Sequence, residues 1–286
     1  MAKFSFKVVF AAATLIFFAT LGLTPQPSRL VLAEEPAGDP SPAQTWISKI
    51  EGLTNGWIAL RGTLTMTFFS GDGATAQCDG RIIYDRFRER LLLECFNGKK
   101  EMLFALGAFD RNFELYLGAS KTVFRGDILS LENSPEIESH LAPLELYRAL
   151  KLGAIPAEDA EIEAQDQKTI TLRVRARDGN PPYFSRILTA ESNGEVPLET
   201  YFSPRGVPLA EIRRKDYRKI TAGEKMTGRP VYLPFAIDLS TGHDTSAETK
   251  KTGILFREIS LISSPDEKDW RLSLPGDTKT VDLSAA

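Results

Sequence analysis

WIALRGTLTMTFF, residues 57–69, carries the period that decides the fold. Leu60, Leu64, Met66 and Phe68 fall on one side of an extended chain, and Arg61, Thr63, Thr65 and Thr67 on the other. Strict alternation of this kind marks a strand with one apolar and one solvated face. Gly71-Asp72-Gly73 then turns the chain, and Thr75 to Asp85 pairs back. Runs at Leu91–Phe96, Glu101–Leu106, Phe113–Leu117 and Thr122–Arg125 continue the meander. Strands at such regular spacing predict a sandwich or a barrel.

Just upstream the period is helical. Ser41-Pro42-Ala43-Gln44 offers a capping serine, a proline in the first turn and a glutamine three residues after the cap. Trp46, Ile47, Ile50 and Leu53 give that helix one apolar stripe, and Gly56 ends it.

Downstream, Asn133 or Ser134 with Pro135 can start a short helical turn. Pro143 opens a second helix, Leu144–Leu152, closed by Gly153. Leu144, Leu146, Tyr147, Ala149, Leu150 and Leu152 make it apolar nearly all round, so it must be covered on more than one side. Strands resume at Lys168–Asp178, Ser185–Ala190, Leu198–Ser203, Leu209–Tyr217, Tyr232–Leu239 and Gly253–Ile262, and the tail Trp270–Leu274 closes against Pro275-Gly276. No helix separates these strands, so the sheet is expected to be antiparallel.

The two cysteines fall within the meander. With a turn at Arg86-Phe87 and Asp85 facing Arg88, Tyr84 faces Glu89, Ile82 faces Leu91, and Cys78 faces Cys95. In an oxidising compartment that pairing predicts a Cys78–Cys95 disulfide; without oxidation the two would be buried thiols.

The N-terminus points to such a compartment. Lys3 and Lys7 precede an apolar run from Val8 to Leu23, and Val31-Leu32-Ala33 suits a signal peptidase. The run has 16 residues, short of the roughly 20 that span a bilayer. This favours a signal peptide over residues 1–33 rather than a retained anchor. A flexible Pro- and Gly-rich leader over 34–44 and one domain over 45–286 complete the expected organisation. Losing Lys3, Lys7 and Arg29 with no acid takes the net charge from −3 to −6. An acidic chain without a basic surface is not expected to bind nucleic acid.

Several segments, in order, resemble the LolA/LolB lipoprotein-carrier superfamily. They are Trp57-Ile58-Ala59-Leu60-Arg61-Gly62, Gly80-Arg81-Ile82-Ile83-Tyr84-Asp85 running into Arg88-Glu89-Arg90-Leu91, and Leu141-Ala142-Pro143-Leu144-Glu145-Leu146-Tyr147-Arg148-Ala149-Leu150 before Gly153. Leu233-Pro234-Phe235-Ala236-Ile237 and Trp270-Arg271-Leu272-Ser273-Leu274-Pro275-Gly276 follow. The resemblance covers about Thr45 to Leu283. It implies an α+β, mainly β chain: an incomplete antiparallel β-barrel with helices packed on its concave side and an apolar cavity for acyl chains. Two positions depart from the family: Phe87 stands where the carrier has a proline after its arginine, and the N-terminal cysteine of the lipid-anchored receptor is absent.

On that reading Leu60, Leu64, Met66, Phe68, Ile82, Tyr84, Leu91, Leu93, Met102 and Phe104 would line the cavity from the sheet, and Leu144 and Tyr147 from the helix. The same residue types build dry cores, so each position reads equally well as core. Met66 and Met102 lean toward the cavity because methionine adapts to irregular ligands. Arg86 at the rim, with Arg213 and Arg214 in the run that also holds Lys215, Arg218 and Lys219, could meet a lipid headgroup or an acidic partner; a solvated strand face is the other reading.

Catalysis has little to stand on. His140 and His243 lie in no metal-ligand spacing, and no GxSxG elbow, phosphate-binding glycine loop or Cys-His pair occurs. No enzyme, metal or cofactor is expected. The expected function is a periplasmic carrier of lipid or lipoprotein acyl chains, acting as a monomer. The alternative is a non-catalytic envelope regulator or scaffold that binds a membrane-protein partner.

Overall fold

The alternating stretch becomes the central strand of one sheet. A computed structural model describes residues 41–54, 57–69, 75–109, 112–127, 143–150, 155–176, 183–220, 230–241 and 250–283. The expected signal peptide, Gly71-Asp72-Gly73, the turn at Asn133–Pro135, Gly153 and both histidines lie outside them.

Helix α1 (Pro42–Thr54) starts where the sequence places its cap, with Ser41 Oγ accepting from the Gln44 amide at 3.2 Å. It begins inside the stretch expected to be leader. The first six strands are β1 (Ala59–Phe69), β2 (Thr75–Asp85), β3 (Arg90–Phe96), β4 (Met102–Phe109), β5 (Asn112–Leu117) and β6 (Thr122–Asp127). After α2 (Pro143–Leu150) come β7 (Ala160–Gln165), β8 (Thr169–Arg175), β9 (Phe184–Glu191) and β10 (Leu198–Phe202). The chain finishes with β11 (Pro208–Ile220), β12 (Val231–Thr241), β13 (Lys250–Ile262) and β14 (Lys279–Asp282).

Among the described residues all fourteen strands belong to one sheet, ordered β14-β6-β5-β4-β3-β2-β1-β13-β12-β11-β10-β9-β8-β7. The two meanders are joined by the long-range pair β1–β13. The sheet curls without closing, an incomplete barrel with helices on its concave side. The inner face of β1–β6 and β11–β13 forms one core with Tyr147, Ala149 and Leu150 of α2 packed on it. Helix α1 buries Ala43, Trp46, Ile47 and Ile50 against Ile170, Leu172, Val174, Leu188 and Ala190 of β8 and β9. Each fully buried aliphatic or Phe side chain there contributes about 1.5–3 kcal/mol.

One expectation needs correction. The β2–β3 turn spans four residues, 86–89, so Asp85 faces Arg90, Tyr84 faces Leu91 and Gly80 faces Cys95. Asp85 Oδ1 accepts from the Arg88 amide at 2.9 Å, and Glu89 takes a left-handed φ of 52° that a two-residue turn did not require. The register therefore differs by two residues from the expected one. A slip of two preserves the face, whereas a slip of one would not. Cys78 and Cys95 accordingly still form a disulfide, diagonally, with Cα atoms 5.8 Å apart, inside the usual range.

The expected strands all pair antiparallel, and a short further strand, β14, joins the edge of β6 in parallel. Glu267–Trp270 is a 3-10 turn whose box is reciprocal between Asp266 and Asp269, and residues 271–274 have no regular structure. This segment crosses the outer face. Trp270 and Leu272 cover Ile83, Leu92 and Phe109, and Leu272 and Leu274 reach Ala105, Tyr116 and Val123. It thereby arrives at the free edge of β6, where β14 adds in parallel.

Strand β7 was not read from the sequence, because AEIEAQ has a single large apolar residue and an exposed edge position.

Candidate functional site

Where the start of β1, the end of β2, strands β11–β13 and α2 converge, the inner face leaves an opening. Its wall is formed by Trp57, Leu60, Tyr84, Leu233, Ile237, Phe256 and Ile259, with Ala149 and Leu150 of α2 across from them. Trp57 and Tyr84 meet edge to face at 5.7 Å. The cavity measures about 70 Å³, room for a few waters on the scale of about 10–15 Å³ each.

Strands β9–β11 deliver a polar cluster to one side of this wall. Ala210, Ile212 and Arg214 point inward by the period of β11, so Arg214 sits on an apolar face with its side chain 3% exposed. Its Nη2 donates to Glu199 Oε2 at 2.8 Å, and Arg186 Nη1 donates to Glu199 Oε1 at 3.1 Å. Glu199 is wholly buried. Burial by itself would raise its pKa, but the Arg214 and Arg186 guanidiniums outweigh it and hold the carboxyl below the usual range. Burial pushes Tyr201 up to about 12, and Arg148 of α2 stacks over its ring at 5.1 Å.

Tyr217, also in the cavity wall, both accepts from the Val196 amide at 3.1 Å and donates to its carbonyl at 3.0 Å. Burial again, as the largest cause, pushes Tyr217 up to about 12. Two buried donors are left over: Arg214 Nη1 and Trp57 Nε1 have no hydrogen-bond partner, and both residues line the cavity.

The candidates read from the sequence divide sharply. Leu60, Tyr84 and Arg86 line the cavity. Leu64, Met66, Ile82, Leu91, Leu93 and Phe104 are packed into the core beside the disulfide and are at most 3% exposed. Phe68 is half-buried, edge-on to Phe104 at 6.1 Å. Tyr147 is half-buried against the core, while the side chain of Leu144 lies outside the described residues.

Met102 faces the other way. Leu103 is an extra residue opposite the Cys95–Phe96 step, and this bulge turns Met102 toward Tyr116, Leu272 and Leu274 on the outer face. Arg213 is exposed and bonds to Glu211, whereas Arg214 is buried rather than solvated. Glu199, Arg186, Trp57 and the β12–β13 wall were missed. The alternation of Ala210, Ile212 and Arg214 was a legible sign that Arg214 turns inward; Glu199 carried none.

Larger openings, of about 510 and 680 Å³, flank residues 268–274 on the outer face. The first is lined by charged side chains, among them Arg61, Arg81, Glu94, Glu258, Lys268 and Asp269, together with Ile82, Ile83 and Leu92.

No protein-family model and no curated protein matches the chain. Solved structures do. A LolA superfamily protein from Nitrosomonas europaea is 13% identical, with 80% of this chain and 97% of that one covered at a TM-score of 0.54. A domain named for outer-membrane lipoprotein sorting from Vibrio parahaemolyticus is 13% identical, with coverage of 80% and 97% and a TM-score of 0.56. A DUF1329 family protein from Desulfovibrio piger is 10% identical, with coverage of 82% and 99% and a TM-score of 0.56. At such identities the likeness shows the fold, which is LolA-like.

Proposed function

We propose that this chain, with its LolA-like fold, is a non-catalytic periplasmic carrier that holds acyl chains of a lipid or lipoprotein while they move between membranes. The observation that carries the reading is the apolar opening between the curled sheet and α2. A helix resting on such a wall through Ala149 and Leu150 can be displaced by hydrocarbon. At about 70 Å³ the opening is smaller than an acyl chain, so on this reading α2 lifts to admit one. Each methylene then taken from water gains roughly 0.8 kcal/mol.

Export fits the rest of the chain. The expected signal peptide leads to an oxidising compartment, where the Cys78–Cys95 bond persists. No helix of the described residues is long and apolar enough to cross a membrane.

Native mass spectrometry of protein purified from its own envelope is expected to find lipid bound, and a fluorescent fatty acid should be displaced by unlabelled lipid. A clean apo mass together with no uptake of the fluorescent probe would overturn the carrier reading. Enrichment of one membrane protein in a pull-down, unaffected by polar substitution at Leu60 and Leu150, would favour the regulator instead.

The contact with membranes has a candidate as well. Phe87, on the turn beside cavity-lining Arg86, is 88% exposed, the most exposed large apolar side chain of the described residues. Phe87→Ser should leave stability within about 0.5 kcal/mol, as for other surface changes. Loss of a Phe that enters the headgroup region should weaken vesicle binding on the order of tenfold, read by sedimentation with anionic vesicles. Equal sedimentation of both proteins would remove Phe87 from the docking surface.

A further inference from the structure

The opening of about 510 Å³ on the outer face holds a buried acceptor with nothing to accept. The period of β3 sends Leu91, Leu93 and Cys95 into the inner core and turns Leu92 and Glu94 outward. Leu272 of the crossing segment packs on Leu92 and on Ala105, the neighbours of Glu94 along and across the sheet. Glu94 is 0% exposed even on this convex side. Its Oε2 accepts from Arg81 Nε, and its Oε1, equally buried, has no hydrogen-bond partner. An ionised carboxylate has room for about four hydrogen bonds, and a buried polar atom left without one is costly.

Charge decides what kind of donor the opening suits. Its lining sets Glu94, Glu258 and Asp269 against Arg61, Arg81, Lys268 and Arg271. Arg61 is matched by Asp269, Arg81 by Glu94, and Lys268 by Asp266. With Asp266 counted, four acids face four bases, so the local field draws neither a free cation nor a free anion. A neutral donor fits instead.

We infer that this outer-face opening binds an uncharged sugar of disaccharide size, one of whose hydroxyls donates to Glu94 Oε1. A hydroxyl both donates and accepts, so neighbouring hydroxyls answer Glu258 and Arg271 in turn. The C–H face of a ring then lies on Ile83 and Leu92. The volume falls within the roughly 300–1,000 Å³ of small-ligand sites. The site is on the other face of the sheet from the apolar opening beneath α2, and it stands whether or not the chain carries lipid.

The test is titration calorimetry on the mature chain, residues 34–286, with maltose, N,N′-diacetylchitobiose and chitobiose, whose free amines make it a cation of similar size. At least one of the two neutral disaccharides is expected to bind with a dissociation constant of about 1 mM or below, and more tightly than chitobiose. Glu94→Gln keeps the shape and removes the charged acceptor. It should weaken that sugar about tenfold, the scale of one hydrogen bond to a charged group. Because Glu94→Gln also releases Arg81, Arg271→Ala serves as a second probe. The Arg271 side chain is exposed, so the fold should be unaffected while the sugar weakens several-fold. Binding of neither neutral sugar overturns the inference. So does chitobiose binding as tightly as the neutral pair or more so, because the opening would then seat a cation. Sugar affinity that a folded Glu94→Gln or Arg271→Ala protein retains in full overturns it as well.

Discussion

Glu199→Leu is expected to destabilise the protein by about 3–5 kcal/mol, the cost of stripping the partner from a buried ion pair. The side chain is wholly buried between Arg186 and Arg214, which are 8% and 3% exposed. Leucine fills the space but leaves two guanidiniums facing each other in the interior. For a domain of this size the melting temperature should fall on the order of 10 °C, at roughly 2–4 °C per kcal/mol. The triple variant Arg186→Met, Glu199→Leu, Arg214→Met should recover most of that loss, because matched apolar replacement of a buried ionic cluster is often neutral or better.

Acid should reveal the same group in the unaltered protein. The folded Glu199 carboxyl lies below the roughly 4.3 of an unfolded glutamate. Its contribution is therefore complete above that value and is lost as pH falls through the folded pKa. Urea unfolding at pH 7, 5 and 3.5 measures both effects. A Glu199→Leu chain as stable as the parent at pH 7 would show that the cluster is hydrated or rearranged.

The second large effect concerns the disulfide. The double variant Cys78→Ser, Cys95→Ser should lose about 3 kcal/mol, since the bond closes a loop with a sequence separation of 17 and constrains the unfolded chain accordingly. Both sulfurs sit in the inner core, at 3% and 0% exposure. Native protein should consequently resist dithiothreitol until it opens, and reduction should follow unfolding rather than precede it. Urea midpoints of the oxidised protein and the double variant within about 0.5 kcal/mol of each other would show that the bond contributes nothing beyond packing. The distinction matters for function as well. Buried this deeply, the pair is a staple and not a redox centre.

Much of this protein could be read along the chain because local period carries it. The two-residue repeat in 57–69 fixed which side of β1 would be apolar, and every described strand of the first meander was found. The disulfide does not depend on the length of the turn, because a shift of two residues in β2–β3 keeps Cys78 and Cys95 on one face. The cap at Ser41 was equally local, depending on residues three apart.

What the sequence could not rank is which apolar residues border open space. Leu93 and Leu60 are chemically alike, yet one is sealed in the core and the other lines the cavity. Only the joining of β1 to β13, nearly two hundred residues away in sequence, together with the docking of α2, decides between them. Met102 was decided by one extra residue in β4, and the parallel β14 by the path of residues 270–274 over the outer face.

Arg214 is the clearest case. Its position in β11 set its face, but its role came from Glu199 and Arg186 on two neighbouring strands. Strand period is a property of a dozen consecutive residues and is written in them. Cavities and buried charges are differences between surfaces brought together from distant segments, and no single segment contains them.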